Sequence, residues 1–248
     1  MATKITPRKS RQPVKKQSRS FMSKLSRFLL KIILWFFGLS LFFVIFFKFV
    51  PVPFTPLMVI RAIENKAAGK EVFFSHDWEP IENISMNLQK AVIASEDGTF
   101  LKHNGFDFVA MQKAYKSNER GRRIKGGSTI SQQTAKNVFL WQGRSYLRKG
   151  LEAYFTVLIE LIWGKERIME VYLNSIEMGN GVYGAQAAAE HWYRKGASSL
   201  TPMQAAGIAA ILPNPRKYSA TSSSSYINRR KAKIVRIMRT VGKIDYSK

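Results

Sequence analysis

Residues 95–107 read SEDGTFLKHNGFD and residues 126–137 read GGSTISQQTAKN. Both blocks are polar, contain glycine and lie in the outer part of the chain, residues 51–248. Segments with apolar residues at helical intervals surround them, the most regular being residues 144–163, and strand-like alternation is scarce. A capping box at residues 201–204, with Pro202 at the first helical position, predicts the start of another helix. The outer part is therefore predicted to be mainly α-helical.

An apolar segment at residues 28–50, FLLKIILWFFGLSLFFVIFFKFV, contains only two charged residues, Lys31 and Lys48, both near its ends. Its length matches one helical crossing of a bilayer. A cleaved signal peptide would have a shorter apolar region and a small-residue cleavage site, which residues 51–54 do not offer. We expect an uncleaved single transmembrane helix, with the basic tail in the cytoplasm and the rest of the chain outside the cytoplasmic membrane.

These features divide the chain into four parts. Residues 1–27 are predicted to form a basic cytoplasmic tail, residues 28–50 the transmembrane helix, residues 51–71 a membrane-proximal linker, and residues 72–248 one outer domain. Apolar residues make up 46% of the 248, which suits a domain with a sizeable core and excludes a wholly disordered chain.

The charge of the chain favours an anionic partner. The formal net charge is +24, and the rest of the chain after residue 31 still carries 30 Lys and Arg against 16 Asp and Glu. Such a surface attracts phosphate in nucleic acid, in lipid headgroups or in a diphosphate substrate, and composition alone does not choose among them. The absence of cysteine excludes disulfides and thiolate metal sites.

The acidic pair Glu96 and Asp97 follows a segment, residues 86–95, that is predicted to form a helix with Ser85 as its N-cap. Glu96 then lies at the negative, carboxyl end of this helix and beside a second carboxylate, and both effects raise the pKa of a carboxyl group. A raised pKa suits general acid and base catalysis. In the alternative interpretation the pair is structural, with Asp97 capping the next turn and Glu96 paired with a surface lysine.

Ser128, Gln132 and Lys136 are spaced at i, i+4 and i+8, so a helix would align a hydroxyl, an amide and an ammonium group along one face. Such a row suits a sugar that carries a phosphate, and the amide groups of Gly126 and Gly127 can meet an anion at the start of that helix. The segment is neither a P-loop nor a hydrolase nucleophile elbow. The alternative interpretation is an ordinary solvated helix face.

Arg148 and Glu152 stand at i and i+4, a spacing that ordinarily gives a surface ion pair worth about 0.3 to 0.5 kcal/mol. A catalytic interpretation requires Glu152 to face Glu96 across a cleft that also holds cations for a leaving phosphate. The candidate cations are Lys136, Arg144, Arg148 and Lys149. The three histidines, His76, His103 and His191, lack metal-ligand spacing and are predicted to be structural.

Taken in order, these blocks resemble glycosyltransferase family 51, the peptidoglycan polymerases, over roughly residues 72–218. A single-span anchor with no transpeptidase domain following it is typical of the monofunctional members. The matching motifs are EDxxFxxHxG at residues 96–105, GGSTISQQ at 126–133, RKxxE at 148–152, YLN at 172–174 with Gly179 and Gly184, and LPNP at 212–215. Thr134 departs from the pattern, since the family usually has Leu at this position.

The resemblance implies roles for individual residues. Glu96 would be the general base that deprotonates the 4-hydroxyl of the acceptor lipid II, which attacks the anomeric carbon of the donor chain while undecaprenyl diphosphate leaves. Glu152 would assist on the diphosphate or metal side, and Asp97 and Phe100 would support Glu96. The implied substrate-contacting positions are Ser128, Gln132, Gln133, Lys136, Asn137, Arg144, Arg148 and Lys149.

The resemblance also implies a fold, a cofactor and partners. The fold is mainly α-helical and lysozyme-like, with a small membrane-proximal jaw. Some relatives use a divalent cation, Mg²⁺ or Mn²⁺, and no residue here decides whether this chain needs one. The implied partners are lipid II, the growing glycan chain, membrane lipid and cell-division or cell-wall synthesis proteins, but not nucleic acid, which the outer domain should not meet. The competing classes are a membrane-bound lytic transglycosylase and a non-enzymatic scaffold.

Overall fold

The computed structural model describes residues 17–69, 73–119, 126–143 and 145–247. The chain divides into two compact units, residues 1–43 and residues 44–248. The first unit contains most of the predicted anchor, and the second contains the elements that position the candidate site.

Helix α1, Gln17–Phe49, contains the predicted anchor. Its segment Met22–Phe49 is long and apolar enough to cross a membrane, judged by length and composition. Most of its large apolar side chains are exposed, as expected of a helix made to be surrounded by lipid. This helix fits a single-pass membrane anchor. It begins before residue 28 because residues 17–27 contain neither Pro nor Gly.

The second unit is mainly helical, as predicted, over the ranges that the structure describes. The helices are α2 Pro56–Ala67, α3 Met86–Glu96, α4 Phe108–Glu119, α5 Ile130–Phe139, α6 Tyr146–Ile162, α7 Gly164–Ser175, α8 Ala185–Tyr193, α9 Pro202–Ile211 and α10 Ser225–Met238. Short 3₁₀ turns occur at Ile81–Asn83, Phe100–Lys102 and Ala197–Ser199. Three strands, β1 Ser75–His76, β2 Glu177–Gly179 and β3 Val182–Tyr183, form one small sheet in which β3 is central, parallel to β1 and antiparallel to β2.

Local capping signals fix several helix starts. The hydroxyl of Ser85 accepts a backbone hydrogen bond in the first turn of α3. Thr201 and Gln204 form the predicted capping box of α9, which ends at Ile211, before Pro213. Because these signals depend on neighbouring residues alone, the sequence predicts these ends well.

Helix α9 lies in the centre of the helical core, between α3 and α10. Every residue from Ala205 to Ile211 is buried, so α9 is apolar on all sides, as a central helix should be. Its small residues allow close approach, and a Cβ on Gly207 would lie 2.9 Å from the carbonyl oxygen of Ala220. On α10, Ile234 and Met238 are buried and Val235 and Ile237 are half-buried.

The carboxyl end of α1, from Val44 onward, belongs to the second unit. It accepts hydrogen bonds from side chains at the junction of α6 and α7. Nε1 of Trp163 donates to the carbonyl oxygen of Val44 at 2.6 Å. Nη2 of Arg167 donates to the carbonyl oxygens of Phe47 at 2.8 Å and of Val50 at 2.6 Å. Carbonyls at a helix end have no further amide of the same helix to bond, so Arg167 caps α1.

Arg167→Ala is expected to lower the free energy of unfolding by about 1 to 3 kcal/mol, because it removes charged donors from two carbonyl oxygens. It also leaves the carboxylate of Glu170 without its partner at 2.5 Å. Thermal unfolding of the full chain in detergent measures the loss. The control is Arg239→Ala, which alters an exposed arginine just beyond α10. Equal melting temperatures for the two variants would contradict the capping role of Arg167.

Candidate active site

Asp97, directly after α3, joins the first polar block to the second. Its side chain is 6% exposed and accepts hydrogen bonds from Nε2 of His103 and from the backbone N of Ile130, each at 3.0 Å. Ile130 is the first residue of α5, so the carboxylate lies at the positive end of that helix. The first amide of α5 therefore bonds to a carboxylate of the protein itself, and anion binding by the amides of Gly126 and Gly127 stays a prediction.

Gly105 brings the loop after Asp97 against the same helix start. The hydroxyl of Thr129 donates to the carbonyl oxygen of Gly105 at 2.6 Å. Gly105 has φ of +88°, and a Cβ there would lie 3.0 Å from Cγ of Glu160. Both the backbone angle and the close approach favour glycine at this position.

The predicted row of Ser128, Gln132 and Lys136 along one helix face is wrong for its first member. Helix α5 begins at Ile130 with Thr129 as its N-cap, so Ser128 precedes the helix. Gln132 is 2% exposed, and its Oε1 accepts a hydrogen bond from the backbone N of Thr129 at 3.0 Å. The capping box thus engages a side chain that the spacing assigned to a substrate. Substrate contact by Ser128 or Gln132 stays a prediction.

Glu96, the last residue of α3, is half-buried and held by two donors. The hydroxyl of Ser95 donates to Oε1 at 3.0 Å, and Nε2 of Gln133 donates to Oε2 at 3.3 Å. Burial raises the pKa of Glu96, while the hydrogen bonds from Gln133 and Ser95 and the charge of Arg230 act in the opposite direction. The raised pKa agrees with the sequence interpretation, but its main cause is burial, and the charge of Asp97 contributes least among these causes.

A cationic group surrounds Glu152 on α6. Nη1 of Arg148 lies 2.8 Å from Oε2 of Glu152, and Nζ of Lys149 bonds to Oε1. Glu152 is 3% exposed, so the predicted surface ion pair is in fact buried on the acidic side. Nε of Arg148 is buried and has no hydrogen-bond partner in the part of the chain that the structure describes.

Helix α5 connects Glu96 with this cationic group. Gln133 bonds to Glu96, and Lys136, about one turn further along the helix, interacts electrostatically with Glu152, Arg148 and Lys149. Burial lowers the pKa of Lys136, and the nearby carboxylate of Glu152 opposes that shift. One face of α5 thus presents the amide of Gln133 to Glu96 and the ammonium group of Lys136 to the cationic group around Glu152.

Two cavities lie beside these groups. The first is lined by Glu96, Asp97 and Ser128 together with glycines of both polar blocks, and the second by Arg148 and Lys149 with Ser145 and Tyr146. Of the other predicted site residues, Phe100 and Asn137 are buried. Arg144 lies outside the described residues.

The carboxylates that the structure describes do not form a dedicated cage for a divalent cation. Within the described ranges, no three His, Asp or Glu side chains are grouped so that they could hold a metal ion. Both carboxylate oxygens of Glu152 already bond to Arg148 and Lys149. Because magnesium is commonly bound by one or two carboxylates together with substrate phosphates, a requirement for a divalent cation stays a prediction.

Comparison with known proteins assigns the chain to a family. The sequence model of the transglycosylase family matches residues 66–239. The chain belongs to the transglycosylase family. This confirms the family membership that the ordered motifs indicated.

Similar proteins named biosynthetic peptidoglycan transglycosylase occur in several bacteria. One from Pseudomonas syringae pv. syringae is 52% identical over 225 residues, 91% of this chain and 95% of the relative. One from Caulobacter vibrioides is 57% identical over 191 residues, 77% of this chain and 81% of the relative. One from Bacteroides thetaiotaomicron is 50% identical over 222 residues, 90% of each chain.

Sequence reasoning missed three contacts in the site of this transglycosylase. Arg230 of α10 lies 3.4 Å from the hydroxyl of Ser95, and the hydroxyl of Tyr172 bonds to Gln133. Both partners come from helices far along the chain, so no local spacing indicates them. His103 was predicted to be structural, but its bond to Asp97 was not foreseen.

Asp97→Asn is expected to lower the free energy of unfolding by about 1 to 3 kcal/mol, because it weakens the charged acceptor for Ile130 N and His103. Thermal unfolding in detergent measures the change. Asp107→Asn is the matched control, since Asp107 caps α4 through Ala110 N at 2.7 Å and Asn is an equally good N-cap. A loss for Asp97→Asn no larger than that of the control would contradict the importance of its pairing.

Proposed function

We propose that this transglycosylase polymerises peptidoglycan, transferring the growing glycan chain from its undecaprenyl diphosphate to the 4-hydroxyl of lipid II with formation of a β-1,4 link. The names of the similar proteins support the substrate class. The observation that carries the proposal is α5, which connects a half-buried carboxylate, Glu96, to a cationic group around Glu152. A base at one end and cations at the other suit the two charges that this transfer develops.

In the proposed step, Glu96 accepts the proton of the acceptor hydroxyl as that oxygen bonds to the anomeric carbon of the donor. The bond between this carbon and the diphosphate oxygen breaks, and its electron pair leaves with the undecaprenyl diphosphate. Attack from the face opposite the leaving group converts the α linkage to a β linkage without a covalent intermediate, as in inverting glycosidases.

The cationic group supplies the second half of the chemistry. Lys136, Arg148 and Lys149 stabilise the negative charge on the departing diphosphate. Nη1 of Arg148 already bonds to Glu152, which fixes the direction of the guanidinium group. Glu152 holds Arg148 and Lys149 in place through both of its oxygens, and no step is assigned to a metal ion.

The anchor supports the same proposal. A lipid-linked donor and acceptor both remain in a membrane, and a single apolar helix fits a protein held at that membrane. We place the amino terminus in the cytoplasm and the domain at residues 72–248 outside, with residues 51–71 as the linker, because of the basic residues before the helix. A lytic enzyme acting on finished glycan would have no diphosphate for these cations to bind.

Glu96→Gln is expected to reduce polymerisation of lipid II at least about 100-fold, because the amide accepts no proton. Glu152→Gln is expected to reduce it as well, since Arg148 and Lys149 lose a charged partner. Gel analysis of labelled lipid II products measures both. Glu190→Gln, an exposed glutamate that bonds to Gln186, is the control.

The same proteins are incubated with finished glycan to test the lytic alternative. Release of short fragments from glycan, without any polymer from lipid II, would overturn the synthase proposal. Full activity of both Glu96→Gln and Glu152→Gln would overturn the assigned roles.

The rate of polymerisation is expected to depend on pH at both ends. Glu96 acts only when ionised, and its pKa is raised above 4.5, so the rate should fall as the pH drops through that raised value. Lys136 acts only as a cation, and its pKa is lowered from 10.5, so the rate should also fall as the pH rises through the lowered value. In Lys136→Arg the side chain keeps its positive charge up to about pH 12. It should move the alkaline limb upward and leave the acid limb in place, and an unmoved alkaline limb would contradict the role of Lys136.

A further inference from the structure

The amide of Gln133 joins Glu96 to a tyrosine that the sequence motifs gave no role. Nε2 of Gln133 donates to Oε2 of Glu96 at 3.3 Å, and Oε1 of Gln133 accepts a hydrogen bond from the hydroxyl of Tyr172 at 3.3 Å. The three side chains come from α3, α5 and α7. They form a chain of donors that ends on the carboxylate.

The direction of this chain follows from the chemistry of its members. Tyr172 is fully buried, and burial raises the pKa of its hydroxyl well above its usual range, so the hydroxyl keeps its proton and donates. A glutamine amide has one side that accepts and one that donates, and its orientation is set by its partners. With Tyr172 donating to Oε1, the NH₂ group of Gln133 faces Glu96. In the reverse orientation, two acceptor oxygens would meet and the buried hydroxyl would lose its acceptor.

We propose that Tyr172 is a positioning residue for the base: its hydroxyl fixes the amide of Gln133 so that a donor, and not an acceptor, faces Glu96. The proposal rests on the function proposed above for Glu96. Without the hydroxyl, the amide of Gln133 is free to turn. Its oxygen would then accept a hydrogen bond from protonated Glu96, which favours the inactive, protonated form of the base.

Glu96 has other polar and charged neighbours, and Tyr172→Phe leaves them in place. On the opposite side, the hydroxyl of Ser95 bonds to Oε1 and is backed by Nη2 of Arg230 at 3.4 Å. Asp97 adds a second negative charge nearby. Both charged neighbours remain in place when Tyr172 loses only its oxygen, so a change in the titration of Glu96 reports the orientation of Gln133.

The test is Tyr172→Phe in the full chain, purified in detergent. Glutamate labelled with ¹³C at the carboxyl carbon gives the titration of Glu96 by NMR, with Glu96→Gln identifying its signal. We expect the pKa of Glu96 to rise by about one unit, which corresponds to about 1.4 kcal/mol, the size of one lost hydrogen bond to a charged group. The acid limb of the polymerisation rate should move in the same direction. The loss of rate should disappear at pH values above the acid limbs of both proteins and below the alkaline limb.

Tyr246→Phe is the matched control. The hydroxyl of Tyr246 also donates to a glutamine, Gln89, at 2.7 Å, but the amide of Gln89 donates to the backbone carbonyl oxygens of Ile81 and Ile84. This variant therefore loses the same kind of bond without a carboxylate at the far end. It should leave the titration of Glu96 unchanged, and a shift equal to that of Tyr172→Phe would overturn the proposal.

A second variant tests whether the effect passes through the relay, the chain of hydrogen bonds from Tyr172 through Gln133 to Glu96, or through general packing. Gln133→Leu removes the amide, so adding Tyr172→Phe to it should not move the pKa of Glu96 further. Additive shifts, or an unchanged pKa in Tyr172→Phe, would overturn the relay. These titrations do not depend on activity. Retained polymerisation by Glu96→Gln would therefore refute the proposed function while leaving the relay to be judged by NMR alone.

Discussion

The bond between the carboxylate of Asp97 and the first amide of α5 is the constraint on which the site depends. Asp97 follows Glu96 in the chain, so fixing Asp97 at the start of α5 also fixes where Glu96 meets that helix. Gln133 lies one turn further along α5 and reaches Glu96. A buried carboxylate needs charged or polar partners, and the helix start and His103 supply them. The position of Glu96 is thus set by a neighbour whose carboxylate bonds to groups of the protein itself.

The pKa values of Glu96 and Lys136 are shifted in opposite directions by the same cause. Burial favours the neutral form of any ionisable group, so it raises the pKa of Glu96 and lowers that of Lys136. Each shift is opposed by partners: donors from Ser95 and Gln133 for the acid, and the carboxylate of Glu152 for the lysine. Without Glu152, three cations would share a poorly hydrated region, and their mutual repulsion would favour deprotonation of Lys136. The carboxylate of Glu152 therefore helps to keep Lys136 charged.

The sequence predicted helices and their ends where the deciding interactions are local. Ser85 and Thr201 cap α3 and α9 as their neighbours indicate, and the acidic pair falls at the end of α3. The row of Ser128, Gln132 and Lys136 places the start of α5 two residues too early, because a spacing of four residues does not show where a helix begins. The capping-box spacing from Thr129 to Gln132 was the signal that locates this start. By contrast, Arg230 reaches Ser95 across 135 residues, and Tyr172 reaches Gln133 across 39. Such contacts follow from packing of whole helices, and no local pattern contains them.

The same limit explains why the raised pKa of Glu96 was predicted for an incomplete reason. Charge and helix position can be read from the sequence, but burial is a property of the fold, and burial is the larger cause. The difference matters for function. A pKa raised by a neighbouring charge would fall when a cation arrives, whereas one raised by burial persists as long as the pocket excludes water. An ionised carboxylate has about four acceptor positions. The bonds from Ser95 and Gln133 use two, so Glu96 can be held by both donors and still take a proton from a sugar hydroxyl.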